Sequence, residues 1–262
     1  MSAPRLMAVL AHPDDESLGV GGTLAKYASE GADVFVLSAT RGDRGRYRDY
    51  RFGDPQHPGW SALAAIRERE LRAAASVLGV RDVAFLDYRD QELCQANPPD
   101  VIAAIVEHLR RVHPEVVITF GPDGAYGHPD HIAISQFTTA AVVAAADPAI
   151  SKLYYIAWPE STWAAYQSAF KKLTSMVDGV ERQVVPWPDW AITTVIDTRR
   201  FSQTVWQAIS CHESQMSVYT QLEHLSPQHR EALLGVQSFY RVFSTVNGGR
   251  ARETDLFEGV PT

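Results

Sequence analysis

Short apolar runs alternate with helical patterns along most of this 262-residue chain. Residues 6–10 and Val116–Phe120 are almost continuously apolar, which is typical of strands buried on both faces of a parallel sheet. The alternation predicts right-handed βαβ crossovers and therefore an α/β, Rossmann-like fold, with a mostly parallel sheet flanked by helices on both faces. The predicted strands are 6–10, 33–38, 82–86, 116–120, 152–158 and 193–197, and the predicted helices are 18–30, 61–78, 100–112, 132–146, 161–177 and 199–212.

The chain contains no low-complexity linker or compositional break that would mark a domain boundary. We therefore expect one domain over residues 1–262, with a core over 1–150 and a C-terminal part, 151–262, that packs on the core and forms the rim of a substrate site. Towards the C-terminus the periodicity weakens, and the segments 239–243 and 255–257 are expected to pack back onto the core.

Composition and charge narrow the class of protein. The formal net charge is −7, which disfavours an extended nucleic-acid interface. Cys94 and Cys211 lie far apart, so neither a disulfide framework nor a thiolate zinc site is expected. The apolar run after Arg5 is too short for a signal peptide, and no segment is long enough for a membrane-spanning helix. These features favour a cytoplasmic protein that acts on a small molecule, with homo-oligomer formation left open.

A cluster of ionisable residues follows the first predicted strand, where residues 11–16 have the sequence Ala-His-Pro-Asp-Asp-Glu. The proline lacks an amide hydrogen and has a fixed φ, so it turns the chain sharply. His12 and Asp15, three residues apart, can then face one point, and Asp14 is directed elsewhere. Asp14 has an alternative interpretation as the N-cap of a helix that begins near residue 17.

A second cluster, Gly-His-Pro-Asp-His at residues 127–131, follows Val116–Phe120 through a glycine-rich loop. His128 and His131 are again three residues apart. Ligands of open α/β sheets bind beyond the carboxyl ends of the strands, so both clusters are expected at one edge. Two imidazoles and one carboxylate with a vacant position suit catalytic zinc, which lowers the pKa of its bound water to about 7. The same ligands can hold non-haem Fe²⁺, so composition alone does not name the metal.

Together the two motifs resemble those of the LmbE/PIG-L family of zinc-dependent N-deacetylases, over roughly residues 5–150. Members of that family deacetylate N-acetylglucosaminyl phosphatidylinositol, glucosamine-containing precursors of mycothiol and bacillithiol, chitobiose and glycopeptide antibiotics. The resemblance implies one zinc ion held by His12, Asp15 and His131. It also implies that Asp14 is the general base that takes a proton from the metal-bound water.

The same resemblance implies roles for residues around the metal. His128 would stabilise the tetrahedral intermediate or protonate the leaving amine, and Asp130 would orient His128. Tyr126 matches a mobile tyrosine of the mycothiol-pathway deacetylases, whose hydroxyl would help to stabilise the oxyanion. Arg67, in an Arg-x-x-Glu-Leu pattern, and Asp90 match family positions that contact substrate. The alternatives are a loop aromatic for Tyr126, a helix ion pair for Arg67 and a turn residue for Asp90.

The connection over residues 40–60 is long for a βα loop, and loops of this length are often functional. It alternates arginines with aromatic residues, among them Arg44 and Tyr47, a mixture that can stack on a sugar ring or hold an anionic group. Aspartates in the same segment offset much of this charge. A solvated surface flap is therefore the alternative to a substrate-binding loop.

Motifs that would indicate a dinucleotide-binding protein or a serine hydrolase are weak or absent in the sequence. The glycines in Gly19-Val20-Gly21-Gly22 come after the charged turn, and the second strand lacks the acidic residue that binds a ribose, so close helix packing explains them better than a dinucleotide site. No Gly-x-Ser-x-Gly motif of a serine hydrolase is present. His212 resembles part of a common family segment near the pocket or a subunit contact, and it is not expected to bind metal.

These observations favour a zinc-dependent hydrolase that de-N-acetylates an N-acetylglucosamine-type conjugate through attack of a metal-activated water. One alternative is an amidase of a thiol-sugar S-conjugate, which would share every site residue. Another is a metal-dependent hydratase or lyase acting on a carboxylated substrate, which the arginine-rich loop would suit. The presence of both Asp14 and Asp15 favours the hydrolase over the lyase and over a non-catalytic binding module.

Overall fold

The computed structural model describes residues 3–163, 174–177, 180–183, 186–249 and 251–261. Nine strands lie within these ranges. They are β1 (Arg5–Leu10), β2 (Asp33–Thr40), β3 (Asp82–Tyr88), β4 (Val116–Phe120), β5 (Lys152–Ile156), β6 (Thr174–Val177), β7 (Val180–Gln183), β8 (Thr194–Asp197) and β9 (Val236–Ser244).

Seven helices of eight residues or more lie in the same ranges, and none of them combines the length and apolar character that crossing a membrane requires. They are α1 (Asp15–Ser29), α2 (Trp60–Leu78), α3 (Pro98–Val112), α4 (Pro129–Ala145), α5 (Ser202–Ser210), α6 (Met216–Glu223) and α7 (Pro227–Leu234). Shorter helical turns occur at Leu93–Gln95, Gly124–Gly127, Asp189–Ala191 and Arg199–Phe201.

Seven strands form one sheet in the order β3-β2-β1-β4-β5-β9-β8, and β6 pairs with β7 in a separate hairpin. The pairs from β3 to β5 are parallel, whereas β9 runs antiparallel to both β5 and β8. Helices α1, α2 and α5 pack against one another, and α3 packs against α4. The predicted fold class is confirmed: the chain is an α/β protein with a mostly parallel sheet flanked by helices.

The two central strands explain the apolar runs in the sequence. Every residue of β4 is buried, and in β1 only Arg5 is partly exposed. Leu6, Val9, Val117 and Ile118 are completely inaccessible to solvent. Because helices cover the sheet, these strands are continuously apolar instead of alternating with polar residues.

The topology brings the two sequence motifs to one edge of the sheet. β1 leads through α1 to β2 on one side, whereas β4 leads through α4 to β5 on the other side. The crossovers therefore diverge between the neighbouring strands β1 and β4, which is where open α/β sheets bind ligands. The His-Pro-Asp sequences follow the carboxyl ends of these two strands.

Several element boundaries differ from the predicted ones. α1 begins at Asp15 and α4 at Pro129, each three residues earlier than predicted, so both sequence motifs extend into the first turn of a helix. Pro129 is well placed at the start of α4, because the amide of the first helical residue has no partner within the helix. The predicted helix 161–177 is wrong at its end, where residues 174–177 form β6, and residues 164–173 lie outside the described ranges.

Candidate metal and active site

The first motif forms a tight turn between β1 and α1. Asp14 occupies the N-cap position with φ 109°, a left-handed conformation that is strained for a residue other than glycine. Its carbonyl accepts hydrogen bonds from the amides of Ser17 (3.1 Å) and Leu18 (3.0 Å). Its own amide donates to Oε2 of Glu16 (2.9 Å). The Asp14 side chain makes no capping bond, so it is available for other contacts.

Glu16 and His212 form a buried pair behind this turn. Nε2 of His212 lies 2.7 Å from Oε1 of Glu16, and neither side chain is accessible to solvent. Burial favours the neutral form of each group, but their mutual attraction is stronger, so the pKa of Glu16 is lowered and the pKa of His212 is raised. The pair supports the strained backbone of Asp14, consistent with His212 not being a metal ligand.

The turn Gly124–Gly127, in which Ala125 has φ 64° and ψ −78°, leads into the second motif. α4 follows immediately, with His128 at its N-cap and His131 in its first turn. The ring of His131 stacks on Phe120, the last residue of β4, with centroids 3.9 Å apart. The end of β4 and the start of α4 together fix the position of the His131 ring.

Three side chains from the two motifs present ligand atoms to one point. Nδ1 of His12 lies 3.2 Å from Nε2 of His131. The carboxylate oxygens of Asp15 lie 3.7 Å from the His12 nitrogen and 3.4 Å from the His131 nitrogen. Ligand atoms bound tetrahedrally to zinc at about 2.0–2.2 Å stand roughly 3.3–3.6 Å apart. The three separations are close to this spacing, and the two that involve Asp15 use different oxygens, Oδ2 towards His12 and Oδ1 towards His131.

Two carboxylates fix the ring of His12. Its Nε2 atom lies 3.1 Å from Oδ1 of Asp90 and 3.2 Å from Oδ2 of Asp130. Burial disfavours the charged imidazole, but these carboxylates outweigh burial and raise the pKa of His12 well above its usual value. A proton held on Nε2 leaves the lone pair on Nδ1 for a metal, as in the carboxylate–histidine–metal arrangement.

Asp130 contacts both His12 and His128. Its carboxylate contacts Nε2 of His12 and accepts a hydrogen bond from the amide of Gln91 (2.6 Å), and its backbone amide donates to Nδ1 of His128 at 3.2 Å. The charge of the Asp130 carboxylate also acts to raise the pKa of His128, against the larger effects of burial and His12.

The ionisation of the cluster also suits a cation. Burial raises the pKa of Asp15 to about 7, with Asp14 and Glu16 adding to the rise and His12 opposing it. Burial and the neighbouring imidazoles lower the pKa of His131 well below its usual value, so its ring is neutral and can bind a metal. A bound cation would favour the charged carboxylate of Asp15.

Asp14 is held by two side chains from distant segments. The hydroxyl of Tyr219 donates to its Oδ2 atom at 2.7 Å, and the guanidinium of Arg67 contacts the same oxygen at 3.0 Å. Arg67 also donates to the carbonyls of Pro13 and Gly42, and it is almost fully buried. Arg67 therefore holds the first motif in place through both its backbone and the Asp14 side chain. No motif in the sequence points to Tyr219.

His128 and Tyr126 lie next to the ligand cluster. The ring centroid of His128 is 4.8 Å from that of His12 and 5.9 Å from that of Tyr126. Burial and the nearby His12 lower the pKa of His128 to about 4, so the ring is neutral. Nitrogens of His12, His128 and His131 lie within 4.8 Å of one another, which makes His128 an alternative metal ligand on distance alone.

Six of the seven predicted metal-binding and catalytic residues, all except Asp130, line one cavity of about 260 Å³. The predicted substrate residues Arg67 and Asp90 line the same cavity. Sites for small molecules are concave and contain a few convergent polar groups, as this cavity does. The polar part of its lining comprises His12, Asp14, Asp15, Arg67, Asp90, Gln91, Tyr126, His128, His131, Gln215 and Tyr219.

The predicted substrate residues of the loop over 40–60 lie elsewhere. Arg44 pairs with Glu92 and its guanidinium lies over the ring of Trp60, 4.5 Å from the centroid. Tyr47 forms a backbone bridge with Tyr50. Neither Arg44 nor Tyr47 is part of the described cavity lining, although the loop contributes its backbone there at Gly45.

A His/Asp cluster at the switch point of a parallel sheet is typical of a hydrolytic metalloenzyme. The sequence profile of the PIG-L family, described as GlcNAc-PI de-N-acetylase, matches residues 7–142. The chain belongs to the PIG-L family, a metal-dependent family of enzymes that hydrolyse amide C–N bonds.

Curated relatives align with this chain over nearly its whole length. A protein of Rhodococcus jostii (strain RHA1), named 1D-myo-inositol 2-acetamido-2-deoxy-alpha-D-glucopyranoside deacetylase, is 34% identical and aligns over 99% of this chain and 99% of its own length. A protein with the same name from Acidothermus cellulolyticus is 36% identical over 97% of this chain and 94% of its own length.

Solved structures share the fold at lower identity. GalB, the 4-carboxy-2-hydroxymuconate hydratase of Pseudomonas putida KT2440, has a TM-score of 0.67 at 20% identity, over 95% of this chain and 100% of that one. The N,N'-diacetylchitobiose deacetylase of Pyrococcus horikoshii has a TM-score of 0.64 at 21% identity, over 92% of this chain and 84% of that one. At these identities the likeness shows the fold alone, because one fold can host different reactions.

Proposed function

We propose that this chain is a zinc-dependent N-deacetylase that removes the acetyl group from an N-acetylglucosamine-type amino-sugar conjugate. The observation that supports this most strongly is the set of ligand atoms from His12, Asp15 and His131, which lie 3.2–3.7 Å apart in one buried cluster. The carboxylate of Asp14 lies beside this set in the same cavity. Membership in the PIG-L family supports the same chemistry.

His12, Asp15 and His131 would hold the zinc ion. When bound, zinc supplies a Lewis acid for the amide carbonyl and acidifies a water molecule. Three protein ligands leave a fourth position for water or substrate, which is the pattern of catalytic zinc sites. Asp90 and Asp130 would keep the proton on Nε2 of His12, a positioning role that Asp130 would have in addition to its contact with His128.

Asp14 would act as the general base that takes a proton from the attacking water. Tyr219 and Arg67 both bind its Oδ2 atom, which fixes the carboxylate and leaves Oδ1 as the proton acceptor. A base must be held within hydrogen-bond reach of its proton, and these two contacts restrict the Asp14 side chain to such a position.

His128 would stabilise the oxyanion of the tetrahedral intermediate. Its Nδ1 atom accepts the amide proton of Asp130, so the neutral ring carries its own proton on Nε2 and can donate it to a hydrogen bond. This tautomer favours oxyanion stabilisation as the first role of His128, ahead of amine protonation. The hydroxyl of Tyr126, in the same cavity, would contribute a second donor.

The test is release of primary amine from a panel of N-acetylglucosamine conjugates, including the inositol conjugate after which the curated relatives are named. We expect chelator-sensitive amine release by the wild-type protein. The Asp14→Asn variant should bind the same amount of zinc but turn over at least about 100-fold more slowly, because general-base catalysis contributes roughly 10²–10⁴-fold.

The matched control is Asp49→Asn, which makes the same change on the exposed part of the loop over 40–60 and should retain wild-type turnover. Unchanged turnover in Asp14→Asn would remove Asp14 from the mechanism. A wild-type protein that binds zinc and releases no amine from any conjugate would contradict the proposed function.

A further inference from the structure

The lining of the active-site cavity has a polar and an apolar part. The polar part carries the metal-binding cluster and the side chains around Asp14. The apolar part, which we call the apolar wall, consists of Leu18, Trp158, Val218, Leu222, Leu233 and Leu234. These residues come from α1, from the segment after β5, and from α6 and α7, so four separate parts of the chain place carbon-rich side chains on one cavity.

The apolar wall begins directly beside the reacting groups. Leu18 lies one helical turn after Asp14, and its amide donates to the Asp14 carbonyl at 3.0 Å. Leu222 lies three residues after Tyr219 on α6, so both residues share one helix face. The hydroxyl of Tyr219 binds the carboxylate of Asp14. A substituent attached close to the reacting amide would therefore meet this wall first.

The apolar wall also lines a neighbouring cavity. This smaller cavity of about 30 Å³ shares Leu18, Gly19, Trp158 and Leu233 with the main one. Its lining also includes the polar residues Gln237 and Ser238. The apolar surface available to a hydrocarbon group is therefore that of the main cavity.

The wall is firmly supported but partly open to water. Leu222 and Leu234 are buried in a cluster with Val205 and Ile209, which holds α6 and α7 against α5. Val218, in contrast, is 44% exposed. Removing such apolar surface from water is favourable, whereas burying hydroxyl groups against it without hydrogen-bonding partners is unfavourable. The wall therefore favours an alkyl or aryl group over a polyol.

We propose that the substrate carries an apolar substituent of several carbons next to the hydrolysed amide, and that the apolar wall binds it. This inference rests on the proposed N-deacetylase function and narrows its substrate class. The substituent is an apolar aglycone of the amino sugar. An N-acyl chain longer than acetyl would present the same hydrocarbon surface to Leu18, Val218 and Leu233, and the test distinguishes the two sources.

Two series of substrates test the proposal and distinguish the two sources. One series varies the acyl group of methyl glucosaminide from acetyl through butanoyl to hexanoyl. The other varies the aglycone of N-acetylglucosamine from methyl through butyl to octyl, below micelle-forming concentrations. Full burial of one methylene group is worth about fourfold in binding. We expect kcat/KM of the zinc-loaded protein to rise at least about tenfold along one series, since part of the wall stays exposed.

Variants at the half-exposed part of the wall give a second test. Leu233→Gln and Val218→Thr should each lower the ratio of kcat/KM between the longest and the shortest substrate by about threefold or more. Leu225→Gln is the matched control, because Leu225 packs against the same cluster but does not belong to the cavity lining. It should keep the wild-type ratio, and thermal melting checks that all three variants are folded.

The outcomes separate this inference from the proposed function. Hydrolysis that is equally efficient along both series would overturn the apolar substituent and leave the deacetylase standing. If no substrate is hydrolysed, the deacetylase fails. Calorimetry with octyl and methyl glucosaminide, the reaction products, then tests the apolar wall independently of hydrolysis. Tighter binding of the octyl compound supports the proposed role of the wall, and equal binding of the two compounds overturns it.

Discussion

Asp14 combines an unusual backbone with a tightly held side chain. A left-handed conformation costs a residue other than glycine on the order of 1–3 kcal/mol, so it persists only where the surroundings enforce it. Glu16 binds the Asp14 amide, and Tyr219 and Arg67 bind its carboxylate. These contacts fix both ends of the residue. Such strain is common at active sites, and here it would keep the proposed base beside the proposed metal ligands.

The Tyr219→Phe variant tests the side-chain part of this arrangement. Phenylalanine keeps the ring in its apolar cluster and removes only the hydroxyl that donates to Oδ2 of Asp14. Hydrogen bonds to charged groups contribute about 1.5–3 kcal/mol, so we expect kcat to fall by roughly tenfold or more, with zinc content and KM close to wild type. Steady-state kinetics and metal analysis provide the measurement.

Tyr47→Phe is the matched control, since Tyr47 lies outside the described cavity lining and should give wild-type kcat. A wild-type kcat in Tyr219→Phe would show that Arg67 alone positions the base.

At the residue scale, the clustering of His12, Asp15 and His131 could be predicted because each motif is short and contiguous. His12 and Asp15 are separated by one turn of chain, and His131 follows a glycine-rich loop. Tyr219 could not be predicted, because it is 205 positions from Asp14 and lies in no motif. The role of Asp130 also depends on where α4 begins, and a single proline does not fix that start.

Helix α1 illustrates packing at the scale of one element. A Cβ atom at Gly22 would lie 2.6 Å from the Cβ and Oγ1 atoms of Thr198, just after β8. At the neighbouring Gly21, a Cβ atom would have ordinary contacts, 3.4 Å or more from the nearest atoms. The glycines that follow the metal-binding turn therefore serve close helix packing, as expected, although only some of them are required for it.

Alanine substitutions at the two adjacent glycines should have opposite effects on the free energy of unfolding. Gly22→Ala should lower it by about 1–3 kcal/mol, because the added methyl group overlaps Thr198. Gly21→Ala should leave it unchanged or raise it by up to about 1 kcal/mol, because alanine favours the helix. Urea denaturation of both variants is the measurement. Equal effects would contradict the packing of α1 against the turn after β8.

At the element scale, the predictions worked best where the hydrophobic pattern is continuous. β1 and β4 lie where they were predicted, to within a residue. Within the segment 161–177, predicted to be a helix, residues 174–177 form a strand. The hydrophobic pattern of so short a segment does not distinguish a helix from a strand. α6 and α7 were not predicted, since each has only eight residues and depends on tertiary contacts.

Glu253 links the C-terminal segment to the sheet at the scale of the whole molecule. Its carboxylate accepts hydrogen bonds from Lys152 (2.7 Å), Tyr154 (2.8 Å) and Thr194 (2.8 Å), and it lies 2.7 Å from Arg241. These partners belong to β5, β8 and β9. Together with the seven strands of one sheet, the cluster supports our proposal that residues 1–262 fold as one domain.

The Glu253 cluster should make stability depend on pH. Burial opposes ionisation, but Lys152 and the other donors outweigh it and lower the pKa of Glu253 from 4.5 to about 2. The resulting stabilisation, about 3 kcal/mol, is fully present above pH 4.5 and is lost as the pH falls towards 2. Glu253→Gln should therefore be less stable than wild type at pH 7, and the difference should shrink as the pH falls through this window.

Urea unfolding at several pH values measures this difference, and a single cooperative transition would support one domain. The control Glu258→Gln changes an exposed glutamate of the same segment and should show no such dependence. A difference between Glu253→Gln and wild type that stays constant with pH would contradict the assigned contacts.

The most direct test of the account is a titration of metal-free protein with zinc while amine release from an N-acetylglucosamine conjugate is recorded. One ion held by His12, Asp15 and His131 predicts no release before zinc is added, a linear rise, and a break at one equivalent per chain. Chelator should reverse the rise. Amine release by the metal-free protein, or none at any zinc ratio with a hydrolysable conjugate, would contradict the central claim.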